Sequence, residues 1–500
     1  MTVFDTLRGR RNRDVLDILS FLLLTLFFPV LLLGRFSLEE GKPGNFFLNI
    51  SNDLGRSLNL FLAIPILILF FLLASLLWIR RFPKERHGMR FYVTIFLLLV
   101  FVISRFIGIF AFPYGQASFL YSSAHYNKIA QVSYVYPMED RFVSFLTDVA
   151  LGSYFAISVN LLPTFGKKWT YFLDFVLFVL IAIALSAVLY SMITEREVYF
   201  HNCRILLELE EGPHFSLFSF TPNKNVYAFL LMIGVFASLA LFVKKANPVS
   251  PLLALFFTVN CLIASSRTHF AICGFVLLLF SFFYPLFAFK RHKVYSSIFF
   301  SCILLFVLFL LISYFFLKDN NFAEKMIDNI VNFFLQFSTV HSRSLLFQSS
   351  MEMITSPFLA ILGYGRIPFH NLFQSYMTAI GGEMTITSHN GYGDLEMHYG
   401  LVGIILSLVF LVYLIYLSAR LLKGLKKEKG VLSLILICAF LIYFAFEPRF
   451  FTLDEASTVF LLLSFVFPMM DDEEKDLRTL EGKSEARMYR ITKDLKVKGA

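Results

Sequence analysis

The chain has 500 residues, of which 57% are hydrophobic and only 16% are charged, and its formal net charge is +9. Because soluble domains have about a quarter of their residues charged, this composition excludes a water-soluble globule and predicts a protein embedded in lipid. The Lys and Arg residues lie in short segments between apolar runs rather than on one folded face, so we expect no nucleic-acid partner.

The apolar residues fall into twelve runs, most of them close to the roughly 20 residues that a helix needs to cross a bilayer core. We therefore predict an all-α polytopic membrane protein with about twelve transmembrane helices. The runs cover residues 15–34, 58–79, 91–112, 142–162, 170–193, 224–243, 249–264, 268–289, 294–316, 400–422, 431–446 and 451–470. Only the segment from Ser265 to Arg267 separates the seventh run from the eighth, which predicts a tight helical hairpin.

The loops between the runs alternate in charge. If the N-terminus is cytoplasmic, every loop on that side is basic and the other loops are mixed or acidic. Since cytoplasmic loops are enriched in Lys and Arg, we predict that both termini are cytoplasmic. The predicted regions are helices one to nine over 1–316, a large extracytoplasmic loop over 317–399, helices ten to twelve over 400–470 and a charged cytoplasmic tail over 471–500.

Charged residues near the membrane are costly, so each one is a candidate for function. Arg105 lies within the third run and Arg267 lies at the tip of the predicted hairpin. The alternative for each arginine is a structural role, in which it extends to the lipid headgroups or pairs with a carboxylate such as Asp148. Tyrosines crowd the outer loop 113–141, which favours an interfacial aromatic belt over sugar stacking.

The large outer loop holds the other candidates. Ser342 is a potential cap for a helix that ends at Ser356, before a proline, and such a helix places Arg343 and Phe347 one turn apart on the same face. Arg366 follows a glycine-rich turn in the same loop. The loop ends in His389-Asn390-Gly391-Tyr392.

These residue types suit an anionic substrate. Guanidinium groups match phosphate geometry, often with two parallel hydrogen bonds. A neutral histidine, with a pKa near 6.5 when unperturbed, can take a proton from a hydroxyl group. The alternative is a hydrated outer loop in which the His and Arg residues are incidental.

Several short motifs, spread over about residues 215–405, resemble the O-antigen ligase and Wzy-type polymerase superfamily of bacterial surface polysaccharide synthesis. Ser265 to Arg267 is similar to the family's Ser-Arg hairpin tip, and the helix with Arg343 and Phe347 to its Arg-x-x-Leu-Trp helix. His389-Asn390-x-Tyr392, followed by Gly400 and Gly403, resembles its His-Asn-x-Tyr signature. The remaining similarity is the Asn-containing segment 220–225.

The resemblance implies a GT-C-like fold in the bacterial cytoplasmic membrane, with the active site on the extracytoplasmic side. It implies an undecaprenyl-pyrophosphate-linked glycan as donor, a glycan or lipid-linked acceptor, and no metal, nucleotide sugar or other cofactor. By resemblance His389 is the general base, and Arg267 and Arg343 hold the pyrophosphate. We add Asn390, Tyr392, Arg366 and Arg105 as candidate substrate-binding residues, and a flippase and a chain-length regulator as candidate protein partners.

Three functions fit this sequence. The first is a polymerase that joins lipid-linked oligosaccharide units, and the second is a ligase that moves finished polymer to a terminal acceptor; both use the same site. The third, of a different class, is a transporter such as a lipid-linked oligosaccharide flippase, which should show an internal repeat and charges near mid-membrane. The concentration of polar candidates in one outer loop favours an enzyme.

Overall fold

The computed structural model describes residues 89–111, 118–133, 135–138, 170–206, 214–221, 224–288, 337–382, 387–422 and 427–447, with isolated further positions that lie mostly between 141 and 156 or between 293 and 301. Within these residues the chain is mostly helical, with one two-stranded antiparallel sheet. The predictions that fall outside them concern runs 15–34, 58–79 and 451–470, almost all of run 294–316, and the tail 471–500.

The elements follow one another as a succession of helices interrupted by one hairpin. In chain order they are α1 Met89–Phe110, β1 Ser118–Ser123, β2 Lys128–Ser133, α2 Thr170–Thr194, α3 Arg196–Leu206, α4 Lys224–Lys245, α5 Val249–Ile263, α6 Arg267–Ala288, α7 Phe337–Met351, α8 Pro357–Leu362, α9 Arg366–Ile380, α10 Gly391–Leu421 and α11 Lys427–Phe446.

Six of the described helices, namely α1, α2, α4, α6, α10 and α11, are long and apolar enough to cross a membrane. They confirm the predicted all-α membrane architecture, while the total of twelve spans stays a prediction. Helix α5 is equally apolar but has 15 residues, which corresponds to about 22 Å of helix. That is less than the roughly 30 Å of a bilayer core.

Helix α4 lies at the centre of the helical bundle. Its side chains are buried along the whole of its apolar length, and α2, α5, α6 and α11 pack around it. A Cβ at Gly234 would lie 2.6 Å from the Cβ of Ala184 and 2.9 Å from the ring of Phe257. A helix that is apolar on all sides is expected in such a position, and the missing side chain at Gly234 lets two neighbours approach closely.

A buried carboxylate marks one end of this bundle. Asp174, near the start of α2, lies 2.7 Å from Lys244 Nζ and 2.6 Å from Lys245 Nζ, at the end of α4. Helices α2 and α4 therefore run antiparallel, as the predicted topology requires. The beginning of α4 lies at the opposite end of the bundle.

Helix α10 has a sharp kink at Gly400, whose backbone angles are φ 61° and ψ −162°. At the kink the carbonyl groups of Met397 and His398 accept hydrogen bonds from the N–H groups of Tyr364 (2.7 Å) and Gly365 (3.0 Å). The predicted run 400–422 corresponds to the part of α10 after the kink. The helix itself begins at Gly391, inside the predicted loop.

The described parts of the two predicted outer segments, 118–138 and 337–382, pack together. Strands β1 and β2 form a hairpin that packs on α9. The apolar core between the hairpin and α9 also includes residues of α7 and α8. Tyr121 and Tyr136 are buried in this core, and the hydroxyl groups of Tyr121 and Tyr364 lie 3.1 Å apart. The predicted aromatic belt is therefore wrong for Tyr121 and Tyr136, which pack inside the protein.

Candidate functional site

Three cationic residues lie at the termini of three membrane helices, namely Lys224, Arg267 and Arg343. Lys224 is the first residue of α4 and Arg267 is the first residue of α6. Arg343 donates a hydrogen bond to the carbonyl of Phe446, the last residue of α11. Lys224 interacts electrostatically with both arginines. We call these three residues the cationic cluster, and it lies at the end of the bundle opposite Asp174.

The hairpin tip that carries Arg267 has the tight turn that the sequence predicts. Helix α5 ends at Ile263 and α6 begins at Arg267, while Ser265 adopts a left-handed φ of 60°. Ser266 donates its N–H to the carbonyl of Cys261 (3.1 Å), and its Oγ is hydrogen-bonded to His269 Nδ1 at 2.8 Å. These bonds fix Arg267 at the N-terminal end of α6.

Helix α7 places Arg343 and Phe347 one turn apart, which confirms that prediction. The predicted helix bounds are wrong, because α7 begins at Phe337, before Ser342, and ends at Met351. Ser356 instead caps α8, and its Oγ accepts a hydrogen bond from the N–H of Leu359 at 3.3 Å. A serine one residue before a proline is a typical helix start, which the prediction treated as a helix end.

The turn that holds His389 is fixed by its neighbours on both sides. Asn390 caps α10, and its Oδ1 accepts hydrogen bonds from the N–H groups of Tyr392 (3.0 Å) and Gly393 (3.1 Å). The buried carboxylate of Asp394 accepts hydrogen bonds from the N–H (2.9 Å) and hydroxyl (2.5 Å) of Ser388. His389, between these anchors, has a left-handed φ of 53°, which histidine tolerates better than most residues.

Helix α11 closes against this turn. A Cβ at Gly391 would lie 2.9 Å from the carbonyl oxygen of Glu447, so glycine is needed for this approach. Asn390 donates from Nδ2 to the carbonyl of Ala445 (3.2 Å), and the Tyr392 hydroxyl donates to the carbonyl of Leu441 (2.8 Å). Asn390 and Tyr392, predicted to bind substrate, therefore both hold α10 to α11.

His389 has the properties of a neutral base in a cationic site. Its Nδ1 is buried and has no hydrogen-bond partner among the described residues. Burial, and secondarily the charge of Arg343, lower the pKa of His389 from its ordinary 6.5 to about 4. Leaving a buried polar atom unpaired costs about 1–3 kcal/mol, which a ligand with a hydroxyl or phosphate group would offset.

Glu447 balances part of the charge next to His389. Its carboxylate lies 3.4 Å from Arg343 Nη2, and the carboxylate side chain is almost fully buried. The arginine is thus oriented by two groups at the end of α11, the Phe446 carbonyl and the Glu447 carboxylate. The Arg343 side chain stays 22% exposed, so an anion can reach the guanidinium.

Arg105 lies apart from this arrangement and has a buried ion pair. Its Nε lies 2.7 Å from Asp148 Oδ2, and its side chain is 1% exposed. Its Nη1 donates to the carbonyl of His398 at 3.1 Å, and its guanidinium carbon lies 5.0 Å from the centre of the Tyr399 ring. These contacts agree with the structural alternative for Arg105, in which it pairs with Asp148. They also join α1 to the kink of α10.

The structure therefore brings His389, Arg343 and Arg267 to the same end of the bundle, with Lys224 interacting with both arginines. Arg105 instead pairs with Asp148. Arg366 is the first residue of α9. The sequence interpretation missed Lys224 and Glu447 as members of the site. Both are charged residues at the edge of an apolar run, and this signal would have identified them.

The second His-Asn pair of the sequence, His370-Asn371, lies inside α9. The His370 ring packs 5.2 Å from the His398 ring, and within a helix Asn371 cannot act as an N-terminal cap. The environment of His370 thus differs from that of His389, which stands in a left-handed turn before a capped helix.

The chain was compared with protein-family models, with curated proteins and with solved structures, and none of these comparisons found a match. The resemblance to the O-antigen ligase and Wzy-type superfamily stays a prediction from the sequence motifs. The case for a function depends on those motifs and on the positions of the described side chains.

Proposed function

We propose that the protein is a membrane glycosyltransferase that polymerises undecaprenyl-pyrophosphate-linked oligosaccharide units of a bacterial surface polysaccharide. One observation carries the proposal: a neutral histidine, whose buried Nδ1 has no partner among the described residues, lies beside Arg343, next to two further cations at one end of a membrane bundle. This combination offers a proton acceptor and a phosphate-binding site to the same substrate.

In the proposed reaction a hydroxyl group of the acceptor attacks the anomeric carbon of the donor sugar. The bond from that carbon to the pyrophosphate oxygen breaks, and His389 takes the hydroxyl proton. The cationic cluster stabilises the negative charge that develops on the leaving pyrophosphate, as fixed positive groups do in other transferases. The products are the extended glycan and the polyprenyl pyrophosphate.

The donor also improves the base. In the free protein Arg343 helps to keep the pKa of His389 low. A pyrophosphate bound at Arg343 would offset that positive charge and so raise the pKa of His389 towards neutrality, where a general base is most effective. Proton abstraction is thereby favoured only when the donor is in place.

The topology proposed for this function puts the cationic cluster on the extracytoplasmic side of the bacterial cytoplasmic membrane. The lysines at the other end of α4 would then face the cytoplasm, in agreement with the enrichment of basic residues there. The position of the cluster at helix ends, instead of within the spans, favours an enzyme over a transporter. A ligase would use the same residues and is the second candidate.

The test is the length of surface polysaccharide in a deletion strain that carries the wild-type protein or His389→Ala, with membrane levels compared by immunoblot. We expect single lipid-linked units with the deletion, and no polymer from His389→Ala at normal protein level. Polymer that accumulates on the lipid carrier without being attached would identify a ligase. Full restoration by His389→Ala would overturn the role of His389.

A further inference from the structure

The open face of the β-hairpin carries large apolar side chains. Successive residues of a strand point to opposite faces of the sheet, and one set, which includes Tyr121 and Val132, is buried in the core shared with α9. The other set includes Leu120 and Ile129, which are 64% and 71% exposed and are diagonal neighbours across the two strands. An antiparallel sheet with one covered face commonly has polar side chains on the other face. The β-hairpin departs from that pattern at these two positions.

The exposed apolar surface continues along the chain from the β-hairpin to a membrane helix. Val135 and Met138, which follow β2, are exposed, and so is Phe142. The ring of Phe142 packs 5.1 Å from that of Phe110, the last residue of α1. Helix α1 has its own stripe of exposed apolar side chains, formed by Phe96, Leu99, Ile103 and Phe106. Because α1 is long and apolar enough to span a membrane, we expect this stripe to contact lipid.

Contacts through α8 place the β-hairpin close to the end of α1. A Cβ at Gly108, two residues before the end of α1, would lie 3.6 Å from the Cβ of Leu362, the last residue of α8. Two residues further on, the hydroxyl of Tyr364 lies 3.1 Å from that of Tyr121, in β1. Two short steps thus lead from the end of a membrane helix to the β-hairpin. The β-hairpin therefore lies beside the membrane surface.

Helix α9, on the other side of the shared core, has a polar outer surface. Its side chains Phe373 and Tyr376 are buried against the β-hairpin and its neighbours, whereas Asn371, Ser375 and Thr378 are exposed. A structure with one apolar and one polar outer surface suits the boundary between membrane and water, as an amphipathic helix does. This difference in polarity directs the β-hairpin towards lipid and α9 towards water.

We infer that the open face of the β-hairpin rests on the headgroup layer of the bilayer, with Leu120 and Ile129 inserted among the lipids. The backbone sets the depth. Within the described residues the sheet has two strands, so each strand has an edge outside the sheet's own hydrogen bonds, and hydrocarbon does not tolerate unpaired backbone groups. Ser122 and Gln131 lie on the same face, and their polar side chains also suit the headgroup layer.

This lipid contact is independent of the proposed function, and it has a consequence for the cationic cluster. Helix α7 packs in the same apolar core as the β-hairpin, through Leu346. Contact between the β-hairpin and the lipids therefore fixes the height of α7, and with it that of Arg343, relative to the membrane surface.

Tryptophan fluorescence in phosphatidylcholine nanodiscs tests the contact. The two native tryptophans, Trp78 and Trp169, are replaced by phenylalanine in the full-length protein, and Ile129→Trp or Leu120→Trp then supplies the only tryptophan. We expect lipids brominated close to the headgroup to quench both variants, and to do so more strongly than lipids brominated near the chain ends. Melting temperatures close to that of the tryptophan-free parent confirm that the variants are folded.

Ser375→Trp, on the polar side of α9, is the matched control. We expect brominated lipids to leave it unquenched and aqueous iodide to quench it. If iodide quenches Ile129→Trp and Leu120→Trp as strongly as the control, and brominated lipids do not, the open face lies in water and the inference is overturned. Protection of both variants from both quenchers would also overturn it, because the face would then be covered by protein, such as a second copy of the chain. The measurement needs no catalytic activity, so its result is separate from that of the transfer assay.

Discussion

The ring of Phe347 occupies the space that a side chain at residue 393 would need. A Cβ at Gly393 would lie 2.7 Å from Phe347 Cδ2 and 2.8 Å from Cε2, which is closer than carbon atoms approach. Because Phe347 is one turn beyond Arg343 on α7, this contact also sets how near Arg343 comes to the turn with His389. The absence of a side chain at Gly393 thus lets α7 approach α10 closely enough to bring Arg343 next to His389.

Gly393→Ala should lower transfer activity. The added methyl group must push α7 away from α10, at a cost of about 1–3 kcal/mol for overpacking, and Arg343 would move with the helix. Gly274→Ala is the matched control, because a Cβ at Gly274 meets nothing within 4 Å. Activity assays and thermal melts of both variants would check this. Equal activity in the two would show that the spacing set by Gly393 is unimportant.

Arg105 and Asp148 should behave as a structural pair. Removing one partner of a buried ion pair costs about 3–5 kcal/mol, because the other charge is left unpaired. Asp148→Asn, which leaves Arg105 itself intact, should therefore lower the melting temperature clearly, and the donor affinity of the protein that remains folded should be unchanged. A specific loss of donor affinity in Arg105→Gln without a stability loss would restore Arg105 as a substrate ligand.

The pH dependence of catalysis should report the charge beside His389. Since the pKa of His389 is about 4 in the free protein, the base stays neutral as the pH falls through 6.5, and kcat/KM should decline only near pH 4. Bound pyrophosphate offsets Arg343, so the acid limb of kcat should lie at higher pH. Arg343→Gln removes the charge that lowers the pKa of His389, so the acid limb of kcat/KM should move to higher pH. Identical limbs for both parameters would contradict this coupling.

The same shift has a consequence for stability. The pKa of His389 is lower in the folded than in the unfolded protein, so the unfolded state binds more protons below pH 6.5. Stability from this residue is complete above that pH and is lost as the pH falls from about 6.5 to about 4. His389→Gln should therefore make the melting temperature less dependent on pH between about 4 and about 6.5. Differential scanning fluorimetry measures this dependence.

The two His-Asn pairs should differ sharply on substitution. His389→Ala should abolish transfer and leave the protein folded, because its Nδ1 has no partner in the described part of the chain. His370→Ala, within α9, should retain activity and lose at most the packing of its ring on His398. Polymer length in complemented strains compares them directly. A loss at His370 as large as that at His389 would reverse the choice of base.

A long apolar run is by itself enough to predict a membrane helix, and the sequence predicts six of the described membrane helices correctly for this reason. Local signals were also enough for the turn at Ser265 and for the pairing of Arg343 with Phe347 on one helix face. The start of α10 was missed because residues 391–399 contain polar side chains. The cap at Asn390 would have revealed it, since a capping asparagine marks a helix start.

Non-local contacts could not be predicted from one sequence. The packing of β1 and β2 on α9 joins segments about 240 residues apart, and no local pattern encodes such a contact. The same applies to the buried Asn202 side chain, which donates a hydrogen bond to the carbonyl of Ile263, 61 residues further along the chain. Candidate residues could thus be named from the sequence, but their grouping at one end of the bundle required the fold.

The kink at Gly400 has a consequence for where the site lies along the membrane normal. It divides the 31 residues of α10 into a short part before the kink, 391–399, and a longer part after it, 401–421, that is about 32 Å long. The longer part alone matches the roughly 30 Å thickness of the hydrocarbon layer. A helix of that length places Gly400 close to the boundary between hydrocarbon and headgroups. Under the proposed function, the tail of a polyprenyl substrate would stay within the leaflet while its phosphates meet the arginines at headgroup level.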